Sequence, residues 1–186
     1  MPHAKIPADT KPVWFAEEPK ALLPLDAELA KRHLVDLAVA AKEAGFDRLS
    51  SLAKGTTPLA SFLGAVFDLS PFLRDIALLR PQILDSLFDQ TADRKIDTII
   101  KNLPQLGLSI DNEGELMVAL RLAKSEAHFL IALSDLAGVY GGEETTSRVS
   151  RLAIAATQAT VRFLLREASK SGKLTISNPA APEIGS

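Results

Sequence analysis

The 186-residue sequence contains no cysteine, which excludes disulfides, thiolate nucleophiles and the usual structural zinc sites and suits a cytoplasmic setting. Long apolar runs are missing too. None approaches the roughly 18 residues that span a bilayer, and the start of the chain lacks the basic stretch and continuous apolar segment of a signal peptide, so no membrane partner is expected. Charge of one sign is not concentrated anywhere: 21 basic and 23 acidic residues leave a net charge of −2, and nothing in that balance calls for a nucleic-acid partner. Aromatic residues are 5% of the chain and hydrophobic residues 47%. The apolar content sits mainly in Ala and Leu, residues of helices rather than strands, so an all-α fold is expected. No repeat with a period of roughly 20 to 50 residues is visible, which argues against a regular solenoid. The length allows one domain with a substantial core.

Proline and capping residues organise what is present. Pro2, Pro7, Pro12, Pro19 and Pro24 are too closely spaced for a helix, so residues 1–25 read as an extended arm. Trp14 and Phe15 either pin that arm to the body by burying their rings or remain stray exposed aromatics. Residues 26–172 read as a helical domain. Asp26 caps a first helix that ends at Gly45, and a shorter turn follows around Asp47 to Ala53. Thr57-Pro58 and Ser70-Pro71 open two more helices with proline in the first turn, and Pro81 begins another reaching about Phe88. Thr91 starts a segment with Ile96, Ile99, Ile100 and Leu103 that Pro104 and Gly107 are expected to stop.

The longest helix is expected from Asn112 to Val139, capped by Asn112 with Glu115 three residues on and broken after its end by Gly141-Gly142. At about 100° per residue, Arg121, Lys124, Ser125, His128 and Asp135 form one polar stripe, and the rest of the circumference is mostly apolar. Such a helix suits a central strut packed on several sides. Glu126 falls among Leu122, Phe129, Leu130 and Leu133, so its carboxylate should reach solvent or pair with Arg148, Arg151 or Arg162 on the next helix. That next helix, about Glu143 to Ser169, should fold back antiparallel on the strut. The expectation is an irregular helical bundle of about seven helices around the strut. Residues 173–186 offer little to bury and read as a mobile linker.

Motifs that carry chemistry are sparse. His3, His33 and His128 have no metal-ligand spacing, so no metal site is expected. Asp85, Asp89, Asp93 and Asp97 recur every four residues as a carboxylate ladder, but a break near Thr91 spoils its register. The Asp111 to Glu115 cluster has its glycine too early for a calcium loop and is better read as helix capping. Gly141-Gly142 lacks the lysine and spacing of a phosphate loop, and no Gly-x-Ser-x-Gly elbow occurs.

Leu120-Arg121, Lys124, Ile131-Ala132 and Asp135-Leu136, followed by a turn and a helix ending Phe163-Leu164-Leu165-Arg166, resemble the N-terminal helical region of the bifunctional glutamine-synthetase adenylyltransferase and deadenylylase family. Ser70-Pro71-Phe72-Leu73, with Arg80-Pro81 beyond, is similar to another stretch of it. The resemblance covers about Leu59 to Arg166. The commoner family version of the strut has a denser basic run where this sequence has Leu122, Ala123, Ser125, Glu126 and Ala127. The resemblance implies a nitrogen-regulating enzyme that adds AMP from ATP to a tyrosine of glutamine synthetase and removes it by phosphorolysis. In that family each half carries a nucleotidyltransferase domain whose Ser-Asp-x-Asp carboxylates hold magnesium. That signature is absent here, so the chain is expected to be inactive alone and to scaffold the deadenylylating domain, with residues 173–186 leading toward it. The implied parent uses ATP and Mg, with no cofactor in this chain. Its partners would be glutamine synthetase, the PII signal-transduction protein and the rest of its own chain. Arg121, Lys124 and Asp135 would receive the nucleotidyltransferase domain or orient phosphate. The competing expectation is a stand-alone helical protein-interaction module.

Overall fold

The computed structural model describes Trp14, Phe15 and residues 17–184. Among them are eight α-helices, one 3-10 turn and no strand. The helices are α1 (Ala27–Glu43), α2 (Asp47–Lys54), α3 (Pro58–Leu69), α4 (Pro71–Leu79), α5 (Gln82–Asp85), α6 (Ala92–Ser109), α7 (Glu113–Leu136) and α8 (Gly142–Lys170), with the 3-10 turn at Ser86–Phe88. The all-α expectation holds. The extra helix is α2, expected only as a turn. It buries Leu49, Ser50 and Ala53, and the Ser50 hydroxyl donates to the Ala38 carbonyl at 2.8 Å. The body expected over 26–172 divides into two compact units, with the boundary between Ala92 and Asp93.

In the first unit α1 packs against α2, α3 and α4. Three side-chain caps start its helices: Asp26 accepts from the Glu28 and Leu29 amides, Thr57 from Ala60 and Ser70 from Leu73. The most enclosed helix is α3, buried from Leu59 to Phe67 except at Ser61. Asp68, near its end, holds the backbone amides of Leu25 and Asp26 at 2.6 and 3.0 Å, fixing the approach to α1. Much of the arm expected over 1–25 lies outside the described residues, but its two aromatics are buried. Trp14 meets Phe88 edge to face at 5.7 Å and Phe15 meets Phe62 at 6.1 Å. The Trp14 carbonyl also accepts the Ala92 amide, the first of α6.

The second unit holds most of α6, with α7, α8 and the segment after α8. Here α6 does not stop at Pro104; it runs on to Ser109. Pro104 removes one amide from the ladder, so the cause of continuation is tertiary packing. Leu103 is buried, and a Cβ on Gly107 would lie 2.0 Å from the Ala159 carbonyl oxygen, so α6 and α8 touch backbone to backbone. The Arg166 guanidinium then donates to the Gly107 and Ile110 carbonyls at 2.8 and 3.2 Å, filling acceptors that the helix end leaves open.

Asn112 caps α7 through the Glu115 amide at 3.0 Å. The helix ends at Gly138 (φ 75°), ahead of Gly141-Gly142, because the Val139 amide reaches back to the Ser134 carbonyl in a Schellman turn. Burial along α7 is lopsided. Ala127, Phe129, Leu130, Ile131, Leu133 and Ser134 are buried, whereas Met117, Val118 and Leu122 are exposed. The first half is therefore not enclosed, unlike the strut that its apolar circumference implied.

The segment after α8 is also docked, contrary to the expectation of a mobile tail. Glu183 accepts from Arg162 Nη2 at 2.7 Å and Nε at 2.9 Å, and from Gln158 at 2.6 Å. Pro182 is buried beside it, and Ile176 and Pro179 line a cleft with Leu108, Arg166 and Lys170. A charge-assisted anchor replaces the apolar one that the sequence lacks.

Candidate functional site

The polar stripe of α7 is exposed at Arg121, Lys124 and Asp135. Arg121 and Lys124 make no hydrogen bond or ion pair among the described residues. His128, one turn beyond Lys124, has its pKa lowered by burial and then by the Lys124 charge. At neutral pH the mobile positive charge of this face is therefore that of Arg121 and Lys124. Asp135 does not join them. It lies about 16 Å beyond Lys124 and about 21 Å beyond Arg121 along the helix axis at roughly 1.5 Å per residue, and its carboxylate accepts the Thr145 hydroxyl at 2.7 Å. The stripe thus splits into a free cationic pair and a carboxylate that fastens the start of α8.

Glu126 is paired, but not with an arginine of α8. Lys95 of α6 reaches it at 3.0 Å, both side chains being under one-fifth exposed. The three arginines expected as partners all lie on α8, and the structure uses a lysine of α6 instead. Arg162 is taken by Glu183 and Arg151 by Asp97 at 3.2 Å.

The aspartate ladder resolves into two arginine clamps, which the sequence reading missed. In the first unit Arg48 holds Asp89 at 2.8 Å and Asp85 at 3.1 Å and lies over the Phe88 ring at 5.0 Å. Its pKa is raised, chiefly by the Asp89 hydrogen bond, and Arg48 lowers that of Asp89 in return. In the second unit Arg148 reaches Asp93 at 3.2 Å, Asp97 at 3.5 Å and Glu144 at 2.8 Å, over the Tyr140 ring at 4.6 Å. Burial opposes the Arg148 charge, but Tyr140 and the carboxylates outweigh it and raise its pKa. The Tyr140 hydroxyl donates to Asp93, and burial followed by that bond pushes its pKa up. The available signal was the i, i+4 aspartate pair on each side of Thr91, but nothing local identifies the arginine each pair would grip. Among the described residues no group of three or more His, Asp or Glu side chains is placed to hold a metal ion.

These features define a helical scaffold, tied by arginines and presenting a short basic face on α7. The chain belongs to the glutamate-ammonia ligase adenylyltransferase family, whose model it matches over residues 60–183. Its similarity to the bifunctional glutamine synthetase adenylyltransferase/adenylyl-removing enzyme of Mesorhizobium japonicum is 44% identity over 174 residues, 93% of this chain and 18% of that protein. The Brucella suis protein of the same name is 39% identical over 94% of this chain and 18% of its own length. The Bartonella quintana protein is 37% identical over 87% and 17%. The chain therefore spans less than one-fifth of these curated relatives. The family match also extends past Arg166, through the docked segment. No solved structure matches the chain at a significant level. No helix among the described residues is long and apolar enough to cross a membrane.

Proposed function

We propose that this chain is the N-terminal helical part of a longer cytoplasmic enzyme that adenylylates glutamine synthetase and removes the AMP again. In this reading it scaffolds the deadenylylating nucleotidyltransferase domain and is inactive alone. The carrying observation is the family match over two-thirds of this chain against relatives more than five times longer. Magnesium and ATP belong to the nucleotidyltransferase domain; Asp85, Asp89, Asp93 and Asp97 are engaged by Arg48, Arg148 and Arg151. Glutamine synthetase is the substrate partner, and PII is proposed as the regulatory one.

On the exposed face of α7, Arg121 and Lys124 offer charge to that domain or to a substrate phosphate, since a fixed guanidinium and ammonium suit anionic groups. Asp135 contributes by holding Thr145 and so the α7 to α8 turn. In the longer protein, Arg121→Ala or Lys124→Ala should slow AMP removal from adenylylated glutamine synthetase about tenfold, the loss of a charge-assisted contact worth roughly 1.5 kcal/mol. Each variant of the 186-residue chain should keep its stability within about 0.5 kcal/mol. An unchanged rate would reduce the stripe to a solvated face, and AMP removal by the 186-residue chain alone would overturn the assignment.

A further inference from the structure

The middle of α8 presents an outward face with no charge. Ser150, Ala153, Ile154, Thr157, Val161 and Leu164 are all exposed, Ile154 by 66% and Leu164 by 56%. Their spacing by three and four residues places them on one side of the helix. The polar atoms on this side are already satisfied. The hydroxyls of Ser150, Thr157 and Thr160 donate to the carbonyls of Thr146, Ala153 and Ala156 at 2.9, 2.9 and 3.0 Å, four residues back in each case. Such bonding leaves the threonine methyls facing out. Of the two charged residues in this stretch, Arg162 is buried and held by Glu183, and Arg151, half exposed and paired with Asp97, lies about 60° round the helix from Ile154, beside the face and not on it. A long surface helix ordinarily turns charges outward; α8 turns isoleucine, leucine, valine and methyl groups outward instead.

We propose that this face is the seat of a helix from the polypeptide that the longer protein carries beyond the span described here. The inference rests on the reading that the chain is part of such a protein. Two observations choose this occupant. Residues 150 to 164 give a strip about 21 Å long and about 10 Å wide, well short of the roughly 800 Å² per partner that a stable association of separate molecules buries. A second copy is therefore a poor occupant, whereas a covalently linked segment needs no such area because its effective concentration is high. The second observation is length: the relatives carry more than four-fifths of their sequence outside the matched region. The seated helix should be apolar and small-sided where it touches Ala153 and Thr157, since a charge there would lose hydration with no partner to replace it.

The absence of cysteine makes the test direct. Thr157→Cys and, separately, Ile154→Cys report on the face, and Glu143→Cys at the exposed start of α8 serves as control. Each is labelled with a maleimide in the 186-residue chain and in the longer protein, and modification of its own peptide is followed by mass spectrometry. The expected result is labelling at 154 and 157 at least tenfold slower in the longer protein, with the control unchanged. Equal rates in the two proteins would overturn this inference and leave the proposed function standing. Protection in the 186-residue chain that rises with its concentration would assign the face to a second copy and also overturn it. If the native gene product stops at this length, both readings fall together.

Discussion

Gly107 shows at the scale of one residue why intrinsic propensity misjudges α6. Alanine is the better helix former by about 1 kcal/mol, yet its methyl here would meet the Ala159 backbone 2.0 Å away. Gly107→Ala should therefore destabilise the protein by about 1 to 3 kcal/mol, through overpacking against backbone that cannot rotate aside. Urea denaturation measures this, and a stabilised variant would show that α6 and α8 cross elsewhere. Leu130 tests the opposite case. It is fully buried, so Leu130→Ala should lower the unfolding free energy by about 2 to 5 kcal/mol, and a loss near zero would put that side chain outside the core. Its burial was legible from the sequence because the apolar residues around it repeat at helical spacing. The partner of Glu126 was not, because any nearby cation satisfies the electrostatic requirement that pointed to three arginines of α8, and Lys95 of α6 meets it.

At the scale of elements, the helix starts were the most readable features. Asp26, Thr57, Ser70 and Asn112 each act on amides two or three residues away, and such local chemistry is written in the adjacent sequence. Helix ends were less legible where tertiary contacts intervened. Pro104 announced a stop that packing at Leu103 and Gly107 overrode, and Gly138 ended α7 before the more conspicuous Gly141-Gly142. The docking of the segment after α8 was not legible because the segment is poor in apolar residues and its anchor is the charged Glu183. Its pKa falls from 4.5 to about 2, first because Arg162 donates to it. A depressed folded-state value means that this carboxylate supports docking above pH 4.5 and loses that contribution as pH falls toward 2. A carbon-13 NMR titration should give a Glu183 midpoint near 2, moving toward 4.5 in Arg162→Gln. A midpoint near 4.5 in the unaltered chain would mean that the segment is undocked in solution.

For the whole molecule, family and fold class were readable, and the polar stripe was readable as a face but not as a site. Periodicity put Arg121, Lys124 and Asp135 on one side of α7, while the axial distance and the Thr145 hydroxyl separated the third from the first two. The aspartate ladder was similarly visible as spacing, and its division between Arg48 and Arg148 depended on contacts some forty and fifty residues distant in sequence. The Arg166 cap carries such separation into the order of synthesis. The carbonyls of Gly107 and Ile110 find this donor 59 and 56 residues downstream, so on the ribosome the last turn of α6 waits for its cap until α8 has been made through Arg166. The Trp14 carbonyl in the first unit waits longer still, since the Ala92 amide that it accepts lies about 78 residues downstream.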